Sequence, residues 1–157
     1  MNIWYAYTDG SCLQNPSGKG GWAAIVFDPK GIPMKISGYA PSTTNQRMEL
    51  TAALMALRSV PHGVKVVLYS DSQYLCKAFN DGWIKNWIKN GWVNSKKEPV
   101  ANKDLWDSIL NELEDRTIVP KWVKGHASNI LNNECDSMAR SISAFAESIG
   151  EKFREYE

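Results

Sequence analysis

The 157-residue sequence lacks the features that mark several classes of protein. Its formal net charge is only +1, so any nucleic-acid partner must be indicated by local clusters of charge. The chain has no apolar run long enough to span a bilayer, and no basic leader followed by an apolar stretch. Three cysteines are present, an odd number without the spacing of a metal site. We therefore expect a soluble, reduced, cytoplasmic protein that does not act on a membrane.

Repeats, linkers and low-complexity stretches are absent too, which indicates one domain over residues 1–157. The first apolar run covers residues 3–9, and the second covers 20–27 and ends in a turn at 28–31. A third run covers 32–39. Short runs separated by turns predict an antiparallel meander of three strands.

The hydrophobic period then changes from that of a strand to that of a helix. Apolar residues recur at helical spacing over 45–60, and Thr43 with Gln46 fits a capping box at the start. The β-branched run at 64–70 predicts a strand that is buried on both faces. A strand, a helix and another strand in this order require a parallel crossover.

Helices and one further strand are predicted in the rest of the chain. A strand at 117–124 contains Pro120, which cannot donate to a ladder and so favours an edge position. An α/β protein is therefore predicted, with helices packed on a mixed sheet of about five strands. The helices are predicted at 72–80, 83–90, 105–113 and 135–149.

Four carboxylates occupy positions that secondary structure alone does not require. Asp9 and Asp71 each close an apolar strand. Glu49 lies in the first turns of a helix, and Asp136 borders the apolar stripe of the last helix. Each has a purely structural alternative: the aspartates at strand ends would cap turns, the glutamate would favour the helix dipole, and Asp136 would pair with Arg140.

Taken together, the four acids favour a functional explanation. The strand ends at the carboxyl edge of an α/β sheet are where such folds place their sites. Converging carboxylates repel one another unless cations are present, and a ligand set made only of oxygen suits hard divalent metals, above all Mg²⁺. The pattern predicts a Mg²⁺ site in which carboxylates and a substrate phosphate both coordinate the ion.

Four segments carry a resemblance to a known family. They are YTDGSCLQNP from Tyr7, TTNQRMELTAAL from Thr43, YSDSQYL from Tyr69, and WVKGHA with NNECDSMAR from Trp122. In this order they resemble the signature segments of bacterial-like type 1 ribonuclease H, over the chain up to about residue 148. The resemblance implies the ribonuclease H-like fold, with a mixed five-stranded sheet and helices on both faces. Residues 149–157 are expected to be a C-terminal tail.

The resemblance also implies an activity: an endoribonuclease that hydrolyses the RNA strand of RNA–DNA hybrids by a two-metal-ion in-line mechanism, giving 3′-hydroxyl and 5′-phosphate ends. Asp9 would be shared by two Mg²⁺ ions bound with substrate, for which Mn²⁺ would substitute. Asp136 would complete the nucleophile side, and Glu49 and Asp71 the leaving-group side. His126, on a polar loop, would assist proton transfer or product release, although an isolated histidine is more often a surface residue. A monomer is expected.

Substrate-binding residues are implied in the same way. Thr44 and Asn102 would hold a phosphate of the DNA strand. Asn15 and Asn45 also have purely structural explanations: Asn15 as a turn residue and Asn45 as a residue of the first helical turn. Gln46 stands where the family usually has Asn. Contacts to 2′-hydroxyls, which distinguish RNA from DNA, are assigned to backbone around Cys12 and to Asn15, Asn45, Gln46 and Gln73.

Residues 82–103 combine three tryptophans with five lysines and one acid. This local positive field suits phosphates, and the segment resembles the family's basic protrusion, which grips the hybrid. The alternative is an amphipathic helix with partly buried tryptophans and solvated lysines. Ile88 and Asn90 stand where basic residues are frequent, which implies a weaker grip. The residues are Trp83, Trp87, Trp92, Lys85, Lys89, Lys96, Lys97 and Lys103.

Two other functions compete with this one. A non-catalytic module that binds hybrid or double-stranded RNA on the same fold would be expected to lack one or more metal carboxylates, and all four are present. Another nuclease of the superfamily, such as a Holliday-junction resolvase or a transposase core, would not be expected to keep both the Asn/Gln set and the Trp/Lys segment.

Overall fold

A mixed five-stranded sheet forms the centre of the protein, as predicted. The computed structural model describes residues 2–13, 18–125 and 129–155, with side chains as far as residue 144. The last helix, Ile130–Glu155, continues into the segment expected to be a C-terminal tail. The elements of the described residues are β1 (Ile3–Cys12), β2 (Gly18–Phe27), β3 (Pro33–Thr43), α1 (Asn45–Arg58), β4 (Lys65–Ser70), α2 (Gln73–Asn80), α3 (Trp83–Lys89), α4 (Lys103–Glu112), β5 (Thr117–Trp122) and α5 (Ile130–Glu155).

The strand order is β3-β2-β1-β4-β5, and it combines antiparallel and parallel pairing. The first three strands form the antiparallel meander, while β1, β4 and β5 are mutually parallel. Pro120 lies on β5 at the edge of the sheet, where a missing N–H donor is tolerated, so the predicted edge position is confirmed. The carboxyl ends of β1, β4 and β5 therefore meet at one edge.

Helices cover both faces of the sheet. Apolar side chains of α1 pack on Ala6 and Leu68 in the main core. On the opposite face, a Cβ at Gly21 would lie 2.6 Å from the carbonyl oxygen of Ala139, which shows how closely α5 packs on β2. No helix in the described part of the chain is both long and apolar enough to cross a membrane.

The tryptophans of the segment 82–103 pack at one end of the main core. Trp106 of α4 is fully buried, and its indole N–H donates to the hydroxyl of Tyr74 at 3.0 Å. Trp83, Trp87 and Trp92 are partly buried against the same core. The partial burial expected for these three side chains is therefore confirmed.

Helix α1 is capped one residue later than predicted. The Thr44 hydroxyl accepts a hydrogen bond from the backbone N–H of Arg47 at 3.1 Å, which makes Thr44 the N-cap. Thr43 is still the last residue of β3 and is buried. The predicted capping box of Thr43 with Gln46 is wrong, because sequence spacing does not distinguish two adjacent threonines when the end of a strand decides between them.

Lys97 adopts a left-handed backbone conformation in the loop after α3, with φ at 62°. A side chain in this region costs about 1 kcal/mol relative to glycine, which adopts it freely. Lys97→Gly is therefore expected to raise the free energy of unfolding by about 0.5–1 kcal/mol, measured by urea denaturation. The control is Lys96→Gly, next to it in the same loop, which should not stabilise the protein. An unchanged or lower stability of Lys97→Gly would contradict the expectation.

Candidate metal and substrate site

Three carboxylates meet at the edge where β1 and β4 end. Asp9 lies on β1, Asp71 follows the last residue of β4, and Glu49 lies in α1. Each carboxylate contributes one oxygen atom to a group of three, and these three atoms all lie within 4.8 Å of one another. Because β1 and β4 are parallel neighbours, their carboxyl ends bring the two aspartates to the same place.

The contact between Glu49 and Asp9 depends on a glycine. A Cβ built at Gly10 would lie 2.4 Å from the backbone nitrogen of Glu49 and 2.4 Å from the carbonyl carbon of Met48. Helix α1 and strand β1 therefore approach each other more closely than any side chain at position 10 would allow. This close approach places Glu49 beside Asp9.

Asp136 lies beside this cluster and has a second partner. Its carboxylate forms an ion pair with Arg140 at 3.0 Å, and its side chain is only 16% exposed. It also acts on Asp9, whose pKa it raises. The neighbouring Cys135 donates from its thiol to the carbonyl oxygen of Tyr7 at 3.1 Å, which fixes this turn of α5 against β1. Asp136 therefore pairs with Arg140 and also acts on the acid Asp9.

The acids lie in an environment that disfavours ionisation. Asp9 is 2% exposed, and burial raises its pKa to about 8, with further contributions from the charges of Asp71 and Asp136. Burial and the charges of Asp9 and Asp71 raise the pKa of Glu49 well above its ordinary value. Asp9 Oδ2 and Glu49 Oε2 are both buried without a hydrogen-bond partner among the described residues.

These observations fit a hard divalent cation. The cluster offers only carboxylate oxygens, which are the ligands that Mg²⁺ prefers. A cation would supply both the positive charge and the contacts that the two unpartnered oxygens lack. Asp9, Glu49 and Asp71 would hold it directly, and Asp136 would act from the side of α5.

The positions assigned to the RNA strand lie around the same edge. The thiol of Cys12, at the end of β1, donates to the carbonyl oxygen of Thr43 at 3.5 Å. Asn45 and Gln46 are the first two residues of α1, and Gln73 begins α2 with an exposed side chain. Asn15 and His126 lie outside the described residues.

Thr44 and Asn102 are linked through Arg47, a residue that the sequence pattern does not single out. The Arg47 guanidinium donates from Nη1 to Asn102 Oδ1 at 3.3 Å and binds both carboxylate oxygens of Asp104, at 2.9 and 2.7 Å. The positive ends of α1 and α4 are thereby held together, an arrangement that suits a phosphate. Arg47 and Asp104 are 57 positions apart, so spacing alone does not reveal the pair.

The lysines of the segment 82–103 fall into two groups. Lys103 pairs with Asp107 at 2.8 Å, and its ammonium lies 5.1 Å from the ring centroid of Trp92. The others lie on α3 and in the loop that follows it. All five lysines are exposed, and the four of this second group are Lys85, Lys89, Lys96 and Lys97.

Comparisons with known proteins agree with this geometry. The model of the family described as RNase H matches residues 2–144. A ribonuclease H of Caldanaerobacter subterraneus subsp. tengcongensis is 51% identical over 133 residues, covering 85% of this chain and 86% of that protein. A ribonuclease H of Chlorobium luteolum is 48% identical over 134 residues, covering 85% and 90%. The crystal structure of LC9-RNase H1, a type 1 RNase H with the type 2 active-site motif, has a TM-score of 0.82 at 25% identity and covers 93% of this chain and 74% of that one.

Proposed function

The chain belongs to the RNase H family and is a nuclease that cleaves the RNA of RNA–DNA hybrids; on this premise we propose that it does so by two-metal-ion in-line displacement, giving 3′-hydroxyl and 5′-phosphate ends. The observation that carries the mechanism is the convergence of Asp9, Glu49 and Asp71. One carboxylate oxygen from each residue lies within 4.8 Å of one from each of the other two. The protein would act as a cytoplasmic monomer, with Mg²⁺ as its ion and Mn²⁺ as a substitute.

The four acids would divide the work between two sides. Asp9 is the acid that interacts with the other three, which suits a carboxylate shared by two ions. Asp136, on α5, would serve the nucleophile side, while Glu49 and Asp71 would serve the leaving-group side. When bound, the ions lower the pKa of the attacking water and offset the charge that develops on the departing 3′ oxygen.

The surrounding residues would orient the hybrid. Backbone around Cys12 and the side chains of Asn45, Gln46 and Gln73, joined by Asn15, would contact 2′-hydroxyls of the RNA strand. Thr44 and Asn102, which Arg47 links, would hold a phosphate of the DNA strand between two helix N-termini. The exposed lysines and Trp83 of the protrusion would contact the DNA backbone farther away. His126, between β5 and α5, would assist proton transfer or product release.

A metal-titrated cleavage assay tests the proposal. RNA–DNA hybrid, duplex DNA and duplex RNA of one sequence are incubated with the protein and increasing Mg²⁺, and the RNA ends are identified. Cleavage of the hybrid alone, only with metal and with 3′-hydroxyl ends, is expected. Binding without cleavage would favour the non-catalytic module, and cleavage of branched DNA would favour a resolvase.

Replacing Lys85, Lys89, Lys96 and Lys97 by Ala together should raise KM for the hybrid about tenfold or more, with kcat changed by less than about twofold. These exposed groups would bind phosphates away from the reacting one, so their loss weakens ground state and transition state equally. The dependence of binding on salt should also flatten.

The control for this variant removes two lysines at the opposite edge of the sheet. Lys30 lies in the turn between β2 and β3, and Lys65 begins β4. Their replacement by Ala should leave KM unchanged. If the four-lysine variant kept its KM at moderate ionic strength, the segment would be a solvated helix and loop with no part in binding.

A further inference from the structure

Trp122 is a large apolar side chain with an unusual position. It is the last residue of β5 and is 48% exposed, whereas Trp106 of α4 is fully buried in the core. Its indole N–H donates to the backbone carbonyl oxygen of Asp71 at 3.1 Å. Half-exposure of an indole gives up much of the stabilisation that its burial would bring, so packing alone does not explain the residue.

The hydrogen bond extends the pairing of β4 and β5 beyond the end of β4. Trp122 pairs with Ser70 in the parallel ladder, and the backbone N–H of Val123 donates to the carbonyl oxygen of Ser70 at 2.9 Å. The next carbonyl along the chain, that of Asp71, lies past the last ladder pair and receives the indole N–H instead. Two consecutive carbonyls are therefore held by the last residue of β5 and the residue after it.

The side chain of Asp71 is confined from the same direction. A Cβ built at Gly125 would lie 2.7 Å from Asp71 Oδ2 and 3.4 Å from its Cγ, so the backbone at Gly125 lies directly against the carboxylate. On the other side, Ser70 Oγ accepts from the backbone N–H of Ser72 at 3.0 Å. Main chain and carboxylate of Asp71 are thus both fixed by neighbouring groups.

We propose that Trp122 is a positioning residue: through its indole N–H it fixes the main chain of Asp71, so that the carboxylate meets those of Asp9 and Glu49 in the geometry that binds Mg²⁺. This inference rests on the proposed function, because it takes Asp71 to be a metal ligand. Partners that orient a ligand typically change metal affinity by about 10–100-fold when removed.

The test is Trp122→Phe, which keeps an aromatic ring and removes only the N–H donor. Mg²⁺ binding to the protein without nucleic acid is followed by the NMR shift of the backbone amides of Asp71 and Ser72. We expect the dissociation constant to rise about tenfold. In cleavage assays the metal concentration for half-maximal rate should rise in parallel, while KM for the hybrid stays unchanged and kcat recovers at saturating Mg²⁺.

Two further variants make the result decisive. Trp4 is another partly buried tryptophan and packs against the core away from the cluster. Trp4→Phe should therefore leave the Mg²⁺ dissociation constant unchanged. Gly125→Ala places a methyl group against Asp71 Oδ2 and should weaken Mg²⁺ binding even where Trp122 is intact.

The outcomes separate this inference from the proposed function. If Trp122→Phe unfolds at a lower temperature but binds Mg²⁺ like the unmodified protein, Trp122 is merely structural and the inference is overturned. If the unmodified protein itself shows no Mg²⁺-dependent cleavage of hybrid, the proposed function fails first. Weaker Mg²⁺ binding with unchanged KM supports the inference.

Discussion

Asp9→Asn is expected to lower hybrid cleavage by about a thousandfold or more while leaving the fold intact. The substitution keeps the size of the side chain but removes the charge that two ions would share. Asp9 is 2% exposed and is the acid that interacts with Glu49, Asp71 and Asp136, so no other carboxylate can take its place without moving an element of the core. Initial rates at saturating Mg²⁺ measure the loss.

The same variant is expected to be more stable than the unmodified protein without metal at alkaline pH. The pKa of Asp9 is raised to about 8 by burial, so folding favours its protonated form. That contribution is fully present below the pKa of the unfolded chain and is lost as the pH rises through about 8. Without metal, the free energy of unfolding should therefore fall from pH 5 to pH 9, and in Asp9→Asn the fall should be smaller by about 1–3 kcal/mol.

Urea denaturation at several pH values, in the presence of a chelator, measures this difference. Asp81→Asn provides the control, because Asp81 is an exposed acid after α2, outside the cluster. It should keep both the cleavage rate and the pH dependence. A tenth of the activity remaining in Asp9→Asn would show that Asp9 is not the shared ligand, and an unchanged pH dependence of stability would show that burial does not raise its pKa.

A duplex with a single ribonucleotide should be cut at least about a hundredfold more slowly than one with four consecutive ribonucleotides. The positions proposed to contact 2′-hydroxyls are spread over separate elements: Cys12 ends β1, Asn45 begins α1 and Gln73 begins α2. One 2′-hydroxyl cannot reach all of them, and each polar group left unpaired in the complex costs about 1–3 kcal/mol. Two such losses account for a hundredfold effect.

The measurement uses DNA duplexes that carry one, two, three or four consecutive ribonucleotides, with the initial rate determined on each. The rate should rise steeply with the number of ribonucleotides and then level off. Asn45→Ala and Gln73→Ala should slow cleavage of the longest run and flatten the series. Equal rates on all four duplexes would show that this polar set does not read 2′-hydroxyls.

Features encoded by neighbouring residues are the ones that the sequence predicts well. The meander, the crossover and the edge position of Pro120 follow from local periodicity and from one missing N–H donor. Asp9 and Asp71 stand out because an acid directly follows an apolar run, and parallel strands bring such positions together. Each of these signals is contained in a few neighbouring residues.

Features that depend on packing between distant segments are not visible in the same way. The cap of α1 is decided by where β3 ends, so spacing alone does not distinguish Thr43 from Thr44. Arg47 with Asp104, and Trp122 with Asp71, join residues 57 and 51 positions apart. The sequence does not single out Gly10, whose importance lies in the close approach of α1.

The buried cluster links proton binding to the metal binding that we propose. Because the pKa of Asp9 is about 8, at neutral pH and without metal the cluster holds a proton where a cation would sit. A cation bound there as proposed would displace that proton, so its apparent affinity is expected to fall as the pH falls below about 8. A pH-stat titration counts the released protons directly. Lower pH and removal of metal are therefore expected to act on the cluster in the same direction.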